Sequence, residues 1–200
     1  MKVSVSLIDS SVSSRLRRLL VLGAIAGLLL LVARSCLADM LVRFQAPHVT
    51  RTPAATLDDE LSRSVDVAIN GANVASVDDL VRFSLGVTGA RLHFGLEHKT
   101  SLEFGVKERE GNCIEYAHLF ATVFNRAAER KRVTARAFVV HSDARVLGRR
   151  LPGRGLGDHD WVIVVPTAGK GQRLFVDPTF YDFGLDWDIS RSVSGEVRVP

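Results

Sequence analysis

The chain contains few cysteines, tryptophans, tyrosines and methionines. Each of these four residue types occurs only twice among the 200 residues, and the cysteines are Cys36 and Cys113. Two cysteines cannot build the disulfide framework that holds many small secreted domains together. His93, His98 and His141 have no metal-ligand spacing with other donor residues. We therefore expect no metal site and no cofactor.

Neither positively nor negatively charged residues are in large excess. The 26 lysines and arginines against 22 acidic residues give a formal net charge of +4, and the basic residues are scattered. No basic stripe with interleaved aromatic residues occurs, so we expect no nucleic-acid partner. The 46% hydrophobic and 24% charged residues are typical of one globular domain with an appendage.

The appendage is an apolar segment near the N-terminus. Three arginines precede fifteen uncharged residues at 19–33, and Arg34 ends the run. A signal-peptide core has about 7–15 apolar residues and a membrane-spanning helix about 17–25. We therefore expect residues 1–38 to be a signal peptide cleaved after Ala38, or an uncleaved anchor with the membrane as partner. The preceding arginines predict a domain outside the cytoplasm, either anchored to the inner membrane or periplasmic or secreted. A buried helix of the domain is disfavoured, because the run is apolar on all sides.

The remaining chain divides by composition into a linker, a domain and a tail. Residues 39–55 contain prolines and threonines without a sustained apolar period, which predicts a linker. The domain is predicted at 56–187 and a C-terminal tail at 188–200. Thr56 and Ser76 each precede acidic residues and an apolar helical period, so we predict two helices that start there.

A third helix is predicted from Gly111 to the segment Glu129-Arg130-Lys131-Arg132, whose cations close it. Cys113 would lie in its first turn with Asn112 as the cap. The positive end of a helix stabilises a thiolate, and its N–H groups can stabilise an oxyanion. The apolar residues of this helix are Ile114, Ala117, Leu119, Phe120, Val123, Phe124 and Ala127.

Three later segments alternate with a two-residue period and predict neighbouring antiparallel strands. They lie at 135–140, 161–165 and 173–176. The expected fold class is therefore α+β, with the N-terminal helices packed on an antiparallel sheet and one apolar segment before them. Between the first two strands is a basic, glycine-rich loop at 149–157, and the sequence leaves open whether it is a lid.

Three short motifs along the chain carry a cysteine, a histidine and an aspartate. They are Gly111-Asn112-Cys113, His159-Asp160-Trp161 and Asp177-Pro178-Thr179. A thiol nucleophile needs an imidazolium or a helix N-terminus beside it, and the histidine needs an orienting group. Asp158 and Asp160 flank His159, but strand neighbours point to opposite faces, so Asp177 is the favoured partner.

Taken in order, these motifs resemble the bacterial transglutaminase-like superfamily over roughly residues 56–187. That resemblance implies a papain-like core, with Cys113 as nucleophile, His159 as base and Asp177 as the orienting group. It also implies a thioester intermediate formed from an amide bond of a peptide or protein substrate. Water would then give hydrolysis and an amine would give cross-linking. Hydrolysis is slightly favoured because water needs no second binding site.

One departure from the family pattern concerns the oxyanion. No glutamine or tryptophan lies between Phe94 and Cys113 to supply a side-chain donor. The backbone N–H of Cys113 is expected to serve, with a second donor not identified. The alternative function is a catalytically inactive domain that acts as a binding or scaffolding module in the cell envelope. The nucleophilicity of Cys113 distinguishes the two.

Overall fold

The computed structural model describes residues 41–96, 99–150, 157–167 and 171–199, with the side chains of 46–49 excepted. Before residue 39 it describes only positions 16, 19–27, 29 and 38, and residues 19–27 are helical. No helix within these described parts is both long enough and apolar enough to cross a membrane. The predicted signal peptide or anchor at 1–38 lies largely outside the described residues.

The chain separates into compact units at 1–37 and 38–200, and the second unit has an α+β fold. Its helices are α1 (Asp59–Gly71), α2 (Val77–Gly89), α3 (Cys113–Lys131) and the short α4 (Pro178–Asp182). Its strands are β1 (Val42–Arg51), β2 (Thr56–Leu57), β3 (Leu92–Phe94), β4 (Glu103–Phe104), β5 (Arg109–Gly111), β6 (Ala135–Val146), β7 (Arg149–Arg150), β8 (Asp158–Pro166), β9 (Leu174–Val176) and β10 (Val193–Ser194).

The main sheet has the strand order β10-β1-β6-β8-β9, and β7 pairs with β6. All its neighbours are antiparallel except β1 and β10, which run parallel. The three predicted strand segments are thus neighbours, as the alternation indicated. Helix α3 packs directly on β6 and β8, whereas α1 and α2 pack mainly on α3. The prediction that the first two helices lie on the sheet was therefore only partly right.

The first helix starts later than predicted. Asp58 is its N-cap, and its carboxylate accepts a hydrogen bond from the Leu61 N–H at 2.7 Å. Thr56, predicted as the start, instead belongs to strand β2, in which Thr56 pairs with Glu103 of β4 and Leu57 pairs with Phe104. Because the backbone of Thr56 and Leu57 is paired with β4, the helix begins only after Asp58. Helix α2 begins after its predicted cap, Ser76.

The predicted linker at 39–55 contains strand β1 instead. This strand lies between β6 and β10, and Phe44 is only 1% exposed. The ladder to β6 shifts register between Gln45 and Val49. That interval includes Pro47, which has no N–H to donate. The irregularity breaks the two-residue alternation by which the strand would have been recognised.

The predicted tail at 188–200 also belongs to the folded unit. It contributes β10, and Ile189 and Val197 are buried in a core cluster. The Phe44 N–H donates to the Ser192 carbonyl at 2.9 Å, which joins the two ends of the domain. The apolar residues of this segment are too sparse to show a period in the sequence.

The sheet separates two core clusters. Val162 belongs to the cluster under α3, and Trp161 and Ile163 belong to the cluster on the other face. This division follows from the alternation of side chains along β8. The same alternation places His159 on the Trp161 side and Asp160 on the α3 side.

Candidate active site

Cys113 is the first residue of α3, where the sequence predicted it. Asn112 is the N-cap, and its side-chain oxygen accepts from the Ile114 N–H at 3.0 Å. The thiol is free and partly exposed. A thiolate at this position would lie in the positive field of a 19-residue helix.

His159 and Asp177 form the second half of the site. The His159 Nε2 atom lies 2.7 Å from Asp177 Oδ2, and the side chains are 13% and 0% exposed. The other carboxylate oxygen, Oδ1, accepts from the N–H groups of Thr179 at 2.9 Å and Phe180 at 3.2 Å. Both oxygens are thus in use, and Asp177 holds the imidazole while it caps α4.

Cys113 interacts electrostatically with His159, and this interaction contributes to the raised pKa of the imidazole. Because Asp177 occupies Nε2, the nitrogen left for the thiol is Nδ1. Burial lowers the pKa of His159, but the charge and hydrogen bond of Asp177 and the contact with Cys113 raise it well above its ordinary value. The geometry therefore favours a protonated imidazole beside Cys113.

The two aspartates beside His159 are engaged elsewhere. Asp160 Oδ1 lies 2.5 Å from His141 Nδ1, and Asp160 Oδ2 lies 3.8 Å from an Arg51 nitrogen. Asp158 Oδ2 lies 3.8 Å from His141 Nε2. The structure therefore brings Cys113 and Asp177 to His159 and leaves its two sequence neighbours apart from the ring.

A buried carboxylate close to Cys113 was not singled out from the sequence. Glu115 is fully buried and accepts from Arg109 at 2.6 Å, from the Ser101 N–H at 3.0 Å and from the Asn112 N–H at 3.0 Å. Arg109 also donates to the Ser101 carbonyl at 2.6 Å. These bonds fix the segment that leads into Cys113. The signal was the Asn-x-x-Glu spacing of a capping box.

Tyr116 connects α3 to α4. Its hydroxyl lies 2.7 Å from Asp182 Oδ2, and its ring is fully buried. Burial, followed by the Asp182 hydrogen bond and charge, raises the pKa of Tyr116 far above its ordinary value. Tyr116 therefore stays a donor, and its bond links the helix of Cys113 to the helix capped by Asp177.

His118 is a buried histidine on α3 that serves packing rather than the site. Its Nδ1 accepts from the Ala54 N–H at 3.0 Å, which places the proton of the neutral ring on Nε2. Burial lowers the pKa of His118. Among the residues that the structure describes, no three histidine, cysteine or acidic side chains are arranged to hold a metal ion.

Phe44 was missed entirely, because its segment was predicted to be a linker. Its ring stacks on the His159 ring, with centroids 5.0 Å apart and planes 19° apart. Phe180 contacts the same imidazole in a tilted arrangement at 6.2 Å. The base of the candidate site is therefore bounded by two aromatic rings as well as by Asp177.

Comparisons with protein-family models, curated proteins and solved structures found no match. The similarity to transglutaminase-like proteins rests on the motifs alone.

Proposed function

We propose that this protein is a thiol-dependent acyl-transfer enzyme acting on amide bonds of peptides or proteins through a transglutaminase-like, papain-like site. One observation carries the proposal. The His159 imidazole lies 2.7 Å from the buried carboxylate of Asp177, and its interaction with the free thiol of Cys113 helps to raise the pKa of His159. A nucleophile, a base and an orienting group in contact are the requirements of this chemistry.

In the proposed reaction, the proton of Cys113 first passes to Nδ1 of His159. The thiolate then attacks the amide carbonyl carbon, and the C–S bond forms as the carbonyl electrons move to oxygen. Collapse of this intermediate breaks the C–N bond, and His159 returns the proton to the departing amine or ammonia. The product is a thioester on Cys113.

The thioester is resolved by a second nucleophile. His159 accepts a proton from water, the hydroxide adds to the carbonyl carbon, and the proton goes back to the leaving sulfur of Cys113. A carboxylic acid is released by this route, and an amine in place of water yields a new amide. We favour peptidase or amidase activity, because water requires no second binding site.

Asp177 acts by orientation and charge. Its ionised carboxylate accepts from Nε2–H, so Nδ1 is the nitrogen that exchanges a proton with Cys113. Because Asp177 is fully buried and both of its oxygens are bonded, the position of its carboxylate is fixed before substrate arrives. The oxyanion would be stabilised by backbone N–H groups at the start of α3.

The location of the reaction follows from the N-terminal segment. Three arginines followed by the apolar run at 19–33 support export, with the domain outside the cytoplasm. The proposed substrates are therefore peptides or proteins of the cell envelope or its surroundings.

The proposal can be tested by measuring the alkylation of Cys113 by iodoacetamide as a function of pH. The experiment uses the full chain with the substitution Cys36→Ser, so that Cys113 is the only thiol. We expect rapid labelling below pH 7, slowed at least about tenfold by His159→Ala. His141→Ala is the matched control, because His141 also pairs with a buried aspartate in the same sheet.

Two results would remove the proposal. Equal labelling of the wild-type chain and His159→Ala would favour the inactive binding or scaffolding module. Equal slowing by His141→Ala would show a general structural effect. Where the activated thiol is found, mass spectrometry of a peptide library should show cleaved or deamidated peptides that disappear with Cys113→Ala.

A further inference from the structure

Phe44 lies on the face of the proposed catalytic base although it is far from His159 in sequence. The ring centroids are 5.0 Å apart and the planes are nearly parallel, at 19°. Phe44 is 1% exposed and packs with Trp161 in the core cluster of that sheet face. The stack is therefore enclosed by protein.

The backbone of Phe44 is fixed by hydrogen bonds to the C-terminal segment and by pairing with β6. Its N–H donates to the Ser192 carbonyl at 2.9 Å, and its carbonyl accepts from the Ser194 hydroxyl at 3.3 Å. Strand β1 also pairs with β6, where Phe44 is opposite Ala144. The aromatic face is a fixed surface against which the imidazole rests.

One hydrogen bond does not fix the plane of an imidazole. The bond between His159 Nε2 and Asp177 leaves the ring free to tilt about that contact. An aromatic ring in parallel contact removes this freedom. The negative face of an aromatic ring also attracts a cation within about 6 Å of the ring centroid. A protonated His159, whose ring centroid is 5.0 Å from that of Phe44, lies within this range.

We propose that Phe44 is a positioning residue for His159: its ring fixes the plane in which Nε2 meets Asp177 and Nδ1 meets Cys113, and it stabilises the protonated imidazole. The inference deepens the proposed function and, for its catalytic consequence, rests on it.

Phe180 supports the same arrangement from another element. Its ring lies 6.2 Å from His159 and 5.9 Å from Phe44, and its N–H is bonded to Asp177. The His159–Asp177 bond beside these rings is largely buried, with the two side chains 13% and 0% exposed. A hydrogen bond is electrostatically stronger in such low-dielectric surroundings.

The test compares Phe44→Leu with the matched variant Phe175→Leu in the full chain carrying Cys36→Ser. Phe175 contacts Trp161 at 5.7 Å and packs against the same core cluster. Both variants lose an aromatic ring, so thermal unfolding measures their shared packing cost. The specific readout is the NMR titration of the His159 imidazole.

We expect Phe44→Leu to lower the titration midpoint of His159 by about 0.5–1 pH unit, the effect of losing a cation–π contact. Labelling of Cys113 at pH 6 should fall by about 3- to 10-fold for the same reason. Phe175→Leu should leave both quantities unchanged. Phe44→Tyr keeps the aromatic face and should restore the wild-type profile.

An unchanged His159 midpoint in folded Phe44→Leu, or an equal shift in Phe175→Leu, would overturn the positioning role. The titration does not depend on turnover. A shifted midpoint in a protein without thiol activation would therefore leave the Phe44 contact standing while the proposed function fails. Wild-type turnover with an unshifted Phe44→Leu midpoint would refute the role of Phe44 and leave the proposed function standing.

Discussion

Asp177 binds His159 through one carboxylate oxygen and caps helix α4 through the other. The first bond is 2.7 Å long, and the second oxygen accepts from the N–H groups of Thr179 and Phe180. The orientation of the imidazole is thus coupled to the start of α4. Since Tyr116 joins the end of α4 to α3, the elements that carry the three reactive side chains are connected by side-chain hydrogen bonds.

The double use of Asp177 makes Asp177→Asn an informative change. Asparagine caps helices as well as aspartate does, so α4 should survive with little loss of stability. With its oxygen at the cap, the amide NH₂ would face Nε2 and force the proton onto Nδ1. The nitrogen that faces Cys113 could then no longer accept a proton.

We expect Asp177→Asn to lower kcat/KM or the labelling rate of Cys113 roughly 1,000-fold, with thermal stability near wild type. Asp177→Ala removes the cap as well and should cost at least about 1 kcal/mol of unfolding free energy. Wild-type labelling in Asp177→Asn would show that Asp177 does not set the tautomer of His159.

The Tyr116–Asp182 bond predicts a small, coupled effect on stability and activity. Tyr116→Phe keeps the buried ring and removes only the hydroxyl. We expect a loss of about 1 kcal/mol in unfolding free energy, measured by urea denaturation, and a few-fold loss of activity. Tyr181→Phe is the control, since Tyr181 is exposed at 42%. Equal effects of both variants would contradict a link through Asp182.

The structure agrees with the sequence where the signals are local. Helix α3 carries its cap, its capping-box glutamate and its apolar face within one stretch, so Cys113 could be placed at its N-terminus. The alternation in β8 likewise separated His159 from Asp160. Such patterns depend only on neighbours in the chain, and the regular periods of helix and strand make them visible.

The parts that could not be predicted depend on partners distant in the chain. Phe44 is buried because β6 and β10 flank its strand. Its burial therefore requires segments from nearly the full length of the domain to come together. The register shift after Gln45 hides the alternation. Residues 151–156 of the basic, glycine-rich loop lie outside the described residues, and the first two residues of this loop, Arg149 and Arg150, form β7.

Glu115 predicts a stability effect near Cys113 that is separate from chemistry. Glu115→Gln leaves the shape of the side chain but removes the charge that faces Arg109 at 2.6 Å. Removing one partner of a buried ion pair is strongly destabilising. We expect Glu115→Gln to lower the free energy of unfolding, measured by urea denaturation, by about 3 kcal/mol. Glu129→Gln, at an exposed position of the same helix, should change stability by less than about 0.5 kcal/mol. Similar costs for the two variants would argue against the network.

Two histidines with opposite shifts predict the pH dependence of folding. Burial lowers the pKa of His118 below its ordinary 6.5, so between that lowered pKa and 6.5 the unfolded chain binds more protons. Stability should therefore fall as pH drops through this window. The pKa of His159 is raised, because Asp177 and Cys113 outweigh burial. The contribution of His159 to folding stability is therefore complete below pH 6.5 and is lost as the pH rises through the raised pKa of His159.

The two histidines together place a stability maximum near pH 6.5. Urea unfolding of the wild-type chain, His118→Gln and His159→Gln from pH 5 to 9 separates their contributions. We expect His118→Gln to flatten the acid side of the profile and His159→Gln to flatten the alkaline side. Were His159→Gln to steepen the alkaline side, the folded protein would not hold a proton on this imidazole, and the ion pair with Asp177 would have to be abandoned.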